Sequence, residues 1–99
     1  MRNMLNVSKK NQGHILIVDD EPGIRESLRM SLRDKYEVLL AKDGCQTLKI
    51  IKKTRNICLI LLDINLPDMS GLEVLKQIKE SKPETPIVIM TGVGTHQIV

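Results

Sequence analysis

The chain has 99 residues, a formal net charge of +3 and a hydrophobic content of 41%. This length accommodates one domain with a packed core and is too short for several domains. Tyr36 is the single aromatic residue, so the basic residues form no stripe with interleaved aromatics, which argues against direct nucleic-acid binding. No apolar run is long enough for a membrane span or a secretion signal, and we therefore expect a soluble, cytoplasmic protein.

The chain begins with a polar segment and continues with a regular alternation of two patterns. Residues 1–13 lack periodicity and are predicted to form a flexible tail ahead of one domain over residues 14–99. From there on, short β-branched apolar runs alternate with segments that have helical apolar spacing. The short runs predict four strands, at residues 14–18, 36–41, 57–62 and 87–90, of which the first is suited to burial on both faces.

Three helices are predicted between these strands. Pro22 favours the first turn of the first helix, and Asp43 and Ser70 are candidate caps of the second and third. Gln46 and Glu73 follow these caps at the capping-box spacing. Spacings of three and four residues predict the apolar helix faces, which comprise Ile24, Leu28 and Leu32, then Leu48 and Ile51, then Leu72, Leu75 and Ile78. A fourth helix is predicted to begin near Thr95. The alternation indicates an α/β domain with a parallel sheet and right-handed crossovers.

Polar side chains stand at the carboxyl ends of three predicted strands. Asp19 and Asp20 follow the first strand, Asp63 follows the third and Thr91 follows the fourth. Because open α/β sheets build their sites outside the carboxyl ends of the strands, we expect these groups to share one crevice. Three carboxylates so close repel one another, and Mg²⁺ offsets this repulsion while keeping positions for phosphate oxygens. A carboxylate beside the metal can also attack a phosphoryl group, with a threonine hydroxyl as hydrogen-bond donor.

Each of these residues also has an ordinary structural interpretation. An aspartate after a strand is often a helix cap or a turn former, and for Asp19 or Asp20 taken singly this is as compatible with the sequence as a site. Ser70 already supplies the cap after Asp63, while Thr91 alone fits an ordinary loop. The joint placement at three strand ends is what favours a site.

Three segments resemble the receiver domain of bacterial two-component response regulators, in that family's order and spacing. They are residues 15–21 (ILIVDDE), 61–71 (LLDINLPDMSG) and 89–92 (IMTG). The resemblance implies a flavodoxin-like, doubly wound parallel sheet, here in the order 2-1-3-4 with the family's fifth strand and fifth helix missing. It also implies a phosphoprotein that works in a two-component phosphorelay as a signalling module and not as an enzyme.

The resemblance implies a role for each matched residue. Asp63 would accept a phosphoryl group from the phosphohistidine of a sensor histidine kinase. Asp20 would bind Mg²⁺ directly and Asp19 through water, and the backbone carbonyl of Asn65 would join Asp63 as a further ligand. Thr91 would be the switch hydroxyl that turns towards the phosphoryl oxygens.

Other residues in and next to these segments also have counterparts in the family. Pro67 and Gly71 would shape the loop that presents Asp63, although backbone crowding alone would also explain Gly71. Residues 90–94 (MTGVG) look like receivers attached to transcription activators, which hints at transcription regulation, while these 99 residues hold no DNA-binding element.

The chain departs from the family after the fourth strand. The family's fifth strand ends in a lysine that pairs with the phosphoryl group, whereas Lys82-Pro83 precedes the fourth strand and is interpreted as a connector. We therefore expect Mg²⁺ binding to persist and phosphorylation and switching to be impaired. The fourth strand is expected to be an exposed apolar edge beside an uncovered sheet face, which together predict self-association.

Three classes of function remain open. The first is a phospho-accepting receiver domain. The second is a Mg²⁺-dependent phosphatase with an aspartate nucleophile, but such enzymes need a second acid where this chain has Asn65. The third is a truncated, receiver-shaped interaction module that binds Mg²⁺ without switching.

Overall fold

The computed structural model describes residues 13–90 and the backbone of residues 96–98. Most of the predicted tail and the predicted switch residue Thr91 therefore lie outside the described residues. Gly13, which we assigned to the tail, is buried and has a positive φ of 95°. The elements are β1 (His14–Val18), α1 (Pro22–Leu32), β2 (Glu37–Ala41), α2 (Gly44–Lys53), β3 (Ile57–Asp63), α3 (Gly71–Ser81), β4 (Ile87–Met90) and β5 (His96–Ile98).

The strands form one sheet in the order β2-β1-β3-β4-β5. The first four strands are parallel, so the predicted flavodoxin-like order 2-1-3-4 is confirmed. Val18, the last residue of β1, lies opposite Ala41 of β2 and Leu62 of β3. This register brings Asp19 and Asp63 to neighbouring positions at the carboxyl ends of the two central strands.

The helix predicted near Thr95 is wrong for residues 96–98, which form β5. This strand pairs antiparallel with β4 through Val88 and Ile98, Ile89 and Gln97, and Met90 and His96. This pairing satisfies backbone groups that the open edge of β4 would otherwise leave without partners in the sheet. β4 is consequently flanked on both sides over these three residues, and the expectation that it forms the exposed edge of the sheet is wrong.

The two faces of the sheet are covered unequally. Right-handed crossovers place α1 on one face and both α2 and α3 on the other, because the chain reverses direction across the sheet after β2. The face under α2 and α3 holds the hydrophobic core, whose buried members are Leu16, Val18, Ala41, Ile51, Ile57, Ile60, Leu62, Val74, Ile78, Ile87 and Ile89. Helix α1 contributes no buried residue. On its face of the sheet Leu59, Leu61, Val88 and Met90 remain half-buried.

Asp43 and Ser70 cap α2 and α3 as predicted, but the capping box predicted for α3 does not form. The Asp43 side chain accepts a hydrogen bond from the Gln46 backbone N–H at 2.8 Å, as the capping-box spacing predicts. Ser70 caps α3 through the Leu72 N–H at 3.1 Å, while Glu73 accepts from Gln77 instead of closing a capping box.

Leu72 is 62% exposed, so its assignment to the apolar face is wrong: at the second position of α3 it points away from the sheet.

Within the described residues, no helix combines the length and the apolar character that crossing a membrane requires.

Candidate metal centre

Three carboxylates meet at the carboxyl ends of β1 and β3. Asp19, Asp20 and Asp63 each offer an oxygen, and these three oxygens lie within 4.8 Å of one another. Asp19 is buried with 3% of its surface exposed, Asp63 is half-buried and Asp20 is exposed. The fold thus brings together the three acids that the sequence placed at strand ends, and the cluster opens to solvent on the side of Asp20.

Short local hydrogen bonds orient two of these carboxylates. The Glu21 backbone N–H donates to Asp19 Oδ1 at 2.9 Å, and the Asn65 backbone N–H donates to Asp63 Oδ1 at 3.0 Å. Aspartate readily forms such turns, because its side chain reaches the backbone two residues further on. Each turn therefore fixes one carboxylate oxygen where its strand ends.

Arg25 adds a contact that sequence reasoning missed. Its Nη1 donates to the backbone carbonyl of Asp19 at 2.6 Å and so ties the first turn of α1 to the end of β1. An arginine one turn into a helix has no distinctive spacing, and nothing in the sequence separates Arg25 from the surface arginines Arg29 and Arg33.

Burial and charge make the ionised form of Asp19 costly. Loss of hydration raises the pKa of the Asp19 carboxyl above its ordinary value, and the negative charges of Asp63, Asp20 and Glu21 raise it further. The hydrogen bond from the Glu21 N–H acts in the opposite direction and does not cancel these effects. A cation among the three carboxylates would relieve both the lost hydration and the repulsion.

Substituting Asp19 by Asn is expected to stabilise the metal-free protein at pH 7. A raised folded-state pKa means that Asp19 favours the folded state only while protonated; this benefit is complete below the unfolded pKa and is lost as pH rises through the folded pKa. Asn removes the charge but keeps the acceptor for the Glu21 N–H. We expect an increase in the free energy of unfolding on the order of 1 kcal/mol, measured by urea denaturation in EDTA.

The exposed residue Asp34 provides the matched control, since Asp34→Asn removes the same charge outside the cluster. An Asp19→Asn protein that is less stable than the parent at pH 7 in EDTA would contradict the conclusion that the charge of Asp19 destabilises the metal-free fold.

The loop between β3 and α3 forms the wall of the site beside Asp20. A bridge between Asn65 and Ser70 and a hydrogen bond from the Gly71 N–H to the Ile64 carbonyl at 3.1 Å close its base. An open groove of about 550 Å³ runs along Asp20 and loop residues 64–70. Carboxylates and backbone carbonyls are hard oxygen ligands, so the donor set of the three acids and Asn65 fits Mg²⁺ with waters or phosphate oxygens completing its shell.

Gly71 is required here by close backbone approach. A Cβ at this position would come within 3.0 Å of the Cα, carbonyl carbon and carbonyl oxygen of Ile64. Lys82, by contrast, follows α3 as its C-cap and precedes β4, which places it at the amino end of the strand and away from the acids.

Comparison with known proteins finds relatives of this sequence and of this fold. The sequence model of the response regulator receiver domain family matches residues 15–99. The response regulator MprA of Mycobacterium ulcerans (strain Agy99) is 42% identical over 79 residues, which cover 79% of this chain and 34% of MprA. A CheY-like receiver domain protein from Methanospirillum hungatei JF-1 is 34% identical with a TM-score of 0.80, over 86% of this chain and 68% of that one.

A third relative has been solved in two complexes. The response regulator TrrA from Thermotoga maritima, in complex with Mg²⁺ and BeF, is 41% identical with a TM-score of 0.73, over 80% of this chain and 69% of TrrA. TrrA has also been solved in complex with the histidine kinase ThkA, and that structure gives a TM-score of 0.75 at 39% identity, over 84% of this chain and 72% of that one.

The chain belongs to the response regulator receiver domain family. Receiver domains of this family are signalling modules of two-component systems. The chain spans about a third of the length of the MprA relatives that it matches.

Proposed function

We propose that this chain is a phospho-accepting receiver domain that takes a phosphoryl group onto Asp63 with the help of Mg²⁺. The carboxylate cluster supports this most strongly, because its oxygens lie within 4.8 Å of one another at the end of the central strands. Membership of the receiver family and the Mg²⁺ and BeF bound to TrrA support the same chemistry.

We assign Mg²⁺ binding and the contact with the phosphoryl oxygens to different residues of the site. Asp20, Asp19 and Asp63 would hold Mg²⁺ together with the backbone carbonyl of Asn65. The bound ion supplies positive charge that offsets the negative charge of the phosphoryl oxygens. The switch contact to these oxygens is assigned to the hydroxyl of Thr91, as the family resemblance implies.

Asp63 is the proposed nucleophile. Its Oδ1 is held by the Asn65 N–H at 3.0 Å, so we assign the attack on phosphorus to Oδ2. The new bond joins Oδ2 to phosphorus while the bond between phosphorus and the donor histidine nitrogen breaks. The electron pair of that bond remains on the imidazole, which then takes up a proton from water.

We propose that the chain works in the cytoplasm and that its phosphoryl donor is the phosphohistidine of a sensor histidine kinase. The complex of TrrA with ThkA supports a partner of this kind. We propose no direct contact of these residues with nucleic acid or membrane. We also propose that the chain self-associates. This proposal rests on the sheet face that carries α1, where Leu59, Leu61, Val88 and Met90 are only half-buried. A monomer in sedimentation experiments would argue against it.

Two other functions give different outcomes in the same assays. A phosphatase would need an acid two residues after its nucleophile, and Asn65 supplies an amide there, so hydrolysis of a generic phosphomonoester is not expected. A receiver-shaped module that does not switch would bind Mg²⁺ without becoming labelled.

Labelling by acetyl phosphate tests the proposal. We expect intact-mass spectrometry to detect a single added phosphoryl group in Mg²⁺, at an impaired rate, and none when EDTA removes the metal, because the clustered acids then repel the donor. Labelling that is equally fast in EDTA, or turnover of a generic phosphomonoester, contradicts the proposed function.

A further inference from the structure

Asp68 joins the loop that carries Asn65 to the start of a different helix. It lies between β3 and α3, and its carboxylate accepts hydrogen bonds from the backbone N–H groups of Gly44 at 2.8 Å and Cys45 at 2.9 Å. These are the first two residues of α2, whose N–H groups have no partners within their own helix. The hydrogen bonds from Gly44 and Cys45 hold the pKa of the Asp68 carboxyl below its usual range.

This contact is not a local helix cap. The Gln46 N–H of α2 is already satisfied by Asp43, the residue next to the helix in sequence. Asp68 is more than twenty residues away, at sequence separations of 24 and 23 from the two donors. Its hydrogen bonds are therefore tertiary contacts that fix the position of the loop tip against α2.

Met69 provides a second contact between the same two elements. A Cβ on Gly44 would approach the Cγ and Sδ atoms of Met69 to less than 3.0 Å, so the methionine side chain lies directly on the backbone of this glycine. The base of the loop is closed by the hydrogen bond between Gly71 and Ile64. Asp68 and Met69 thus hold the tip, and the backbone between tip and base includes Asn65.

We infer that Asp68 is a positioning residue, which holds the β3–α3 loop against α2 so that the Asn65 carbonyl and Asp63 keep their places in the metal site. This inference rests on the proposed function, because it assigns Mg²⁺ to that site. Groups that orient metal ligands contribute to metal affinity without touching the metal. Asp68 therefore affects the metal ligands by fixing the position of the loop, and it does not contact these ligands itself.

Three variants separate positioning from charge. Asp68→Ala removes both acceptors and the charge, Asp68→Asn removes the charge and keeps one carbonyl acceptor, and Asp34→Ala removes an exposed charge outside the site. We expect Asp68→Ala to weaken Mg²⁺ binding about tenfold in calorimetric titration, and Asp68→Asn to recover part of this loss. We expect Asp34→Ala to bind Mg²⁺ as the parent does.

Hydrogen exchange of the metal-free proteins gives a second readout. Residues 64–70 are expected to exchange faster in Asp68→Ala than in the parent, while the amides of β1 stay protected. This measurement needs neither Mg²⁺ nor phosphoryl transfer.

The outcomes distinguish the inference from the proposed function. If the parent binds Mg²⁺ and Asp68→Ala binds it equally well, the positioning role is overturned and the proposed function stands. Equal losses in Asp68→Asn and Asp68→Ala, with unchanged exchange in residues 64–70, mean that charge alone acts and also overturn it. A parent chain that binds no Mg²⁺ overturns both.

Discussion

Asp63→Asn is expected to reduce labelling by acetyl phosphate to background while leaving the fold intact. The amide is a poor nucleophile, but its Oδ1 can still accept the Asn65 N–H, so the turn after β3 is preserved. Intact-mass spectrometry in Mg²⁺ measures the label, and the thermal unfolding midpoint measures the fold. The exposed-site variant Asp34→Asn is expected to label like the parent. Persistent label on a folded Asp63→Asn protein would place the acceptor on another residue.

Gly71→Ala is expected to destabilise the fold strongly, although it adds only one methyl group. The new Cβ would lie within 3.0 Å of three backbone atoms of Ile64, and backbone cannot move aside as a flexible side chain does. The β3–α3 loop must shift and strain its hydrogen bond from Gly71 to Ile64. We expect a loss of about 3 kcal/mol in the free energy of unfolding, at the upper end of overpacking effects, measured by urea denaturation.

Gly23→Ala is the matched control for this substitution. Gly23 also lies in the first turn of a helix, but a Cβ there meets no atom within 4 Å. Alanine has the higher helix propensity, so this variant is expected to be neutral or more stable by up to about 1 kcal/mol. Equal stability of Gly71→Ala and Gly23→Ala would mean that the loop accommodates the methyl group and that crowding does not determine Gly71.

Local patterns predicted the strands of the parallel sheet and the acids that follow them. The apolar runs of β1, β3 and β4 are short and continuous, which is typical of strands in a parallel sheet covered by helices. Asp19, Asp20 and Asp63 could be placed together because neighbouring parallel strands end at the same edge. Their common position depends on strand order, which the family resemblance supplied.

The features that the sequence did not reveal depend on tertiary contacts. Residues 96–98 pair with β4 because its open edge offers hydrogen bonds, and this preference does not appear in their own spacing. Leu72 has the right period for the core, but the buried residues of α3 are Gly71, Val74 and Ile78, and Leu72 lies outside the side of the helix that they form. Asp68 looks like an ordinary loop acid next to Pro67, and only the fold shows that it meets the start of α2.

The contacts of Asp68, Met69 and Gly71 all hold the β3–α3 loop in one position. Gly71 permits the base of the loop to close on Ile64, and Asp68 and Met69 hold its tip on α2. The loop therefore presents Asn65 from a braced backbone, which is what a metal site needs if ligand positions are to be kept within fractions of an ångström.

Chemical mapping of the phosphoryl group tests the assignment of Asp63 most directly. The chain is labelled with acetyl phosphate in Mg²⁺, the acyl phosphate is reduced with borohydride to homoserine, and the peptides are sequenced by mass spectrometry. We expect homoserine at Asp63 and unmodified aspartate at Asp19 and Asp20, with no conversion in EDTA. Homoserine at Asp19 or Asp20 with an intact Asp63 would contradict the assignment.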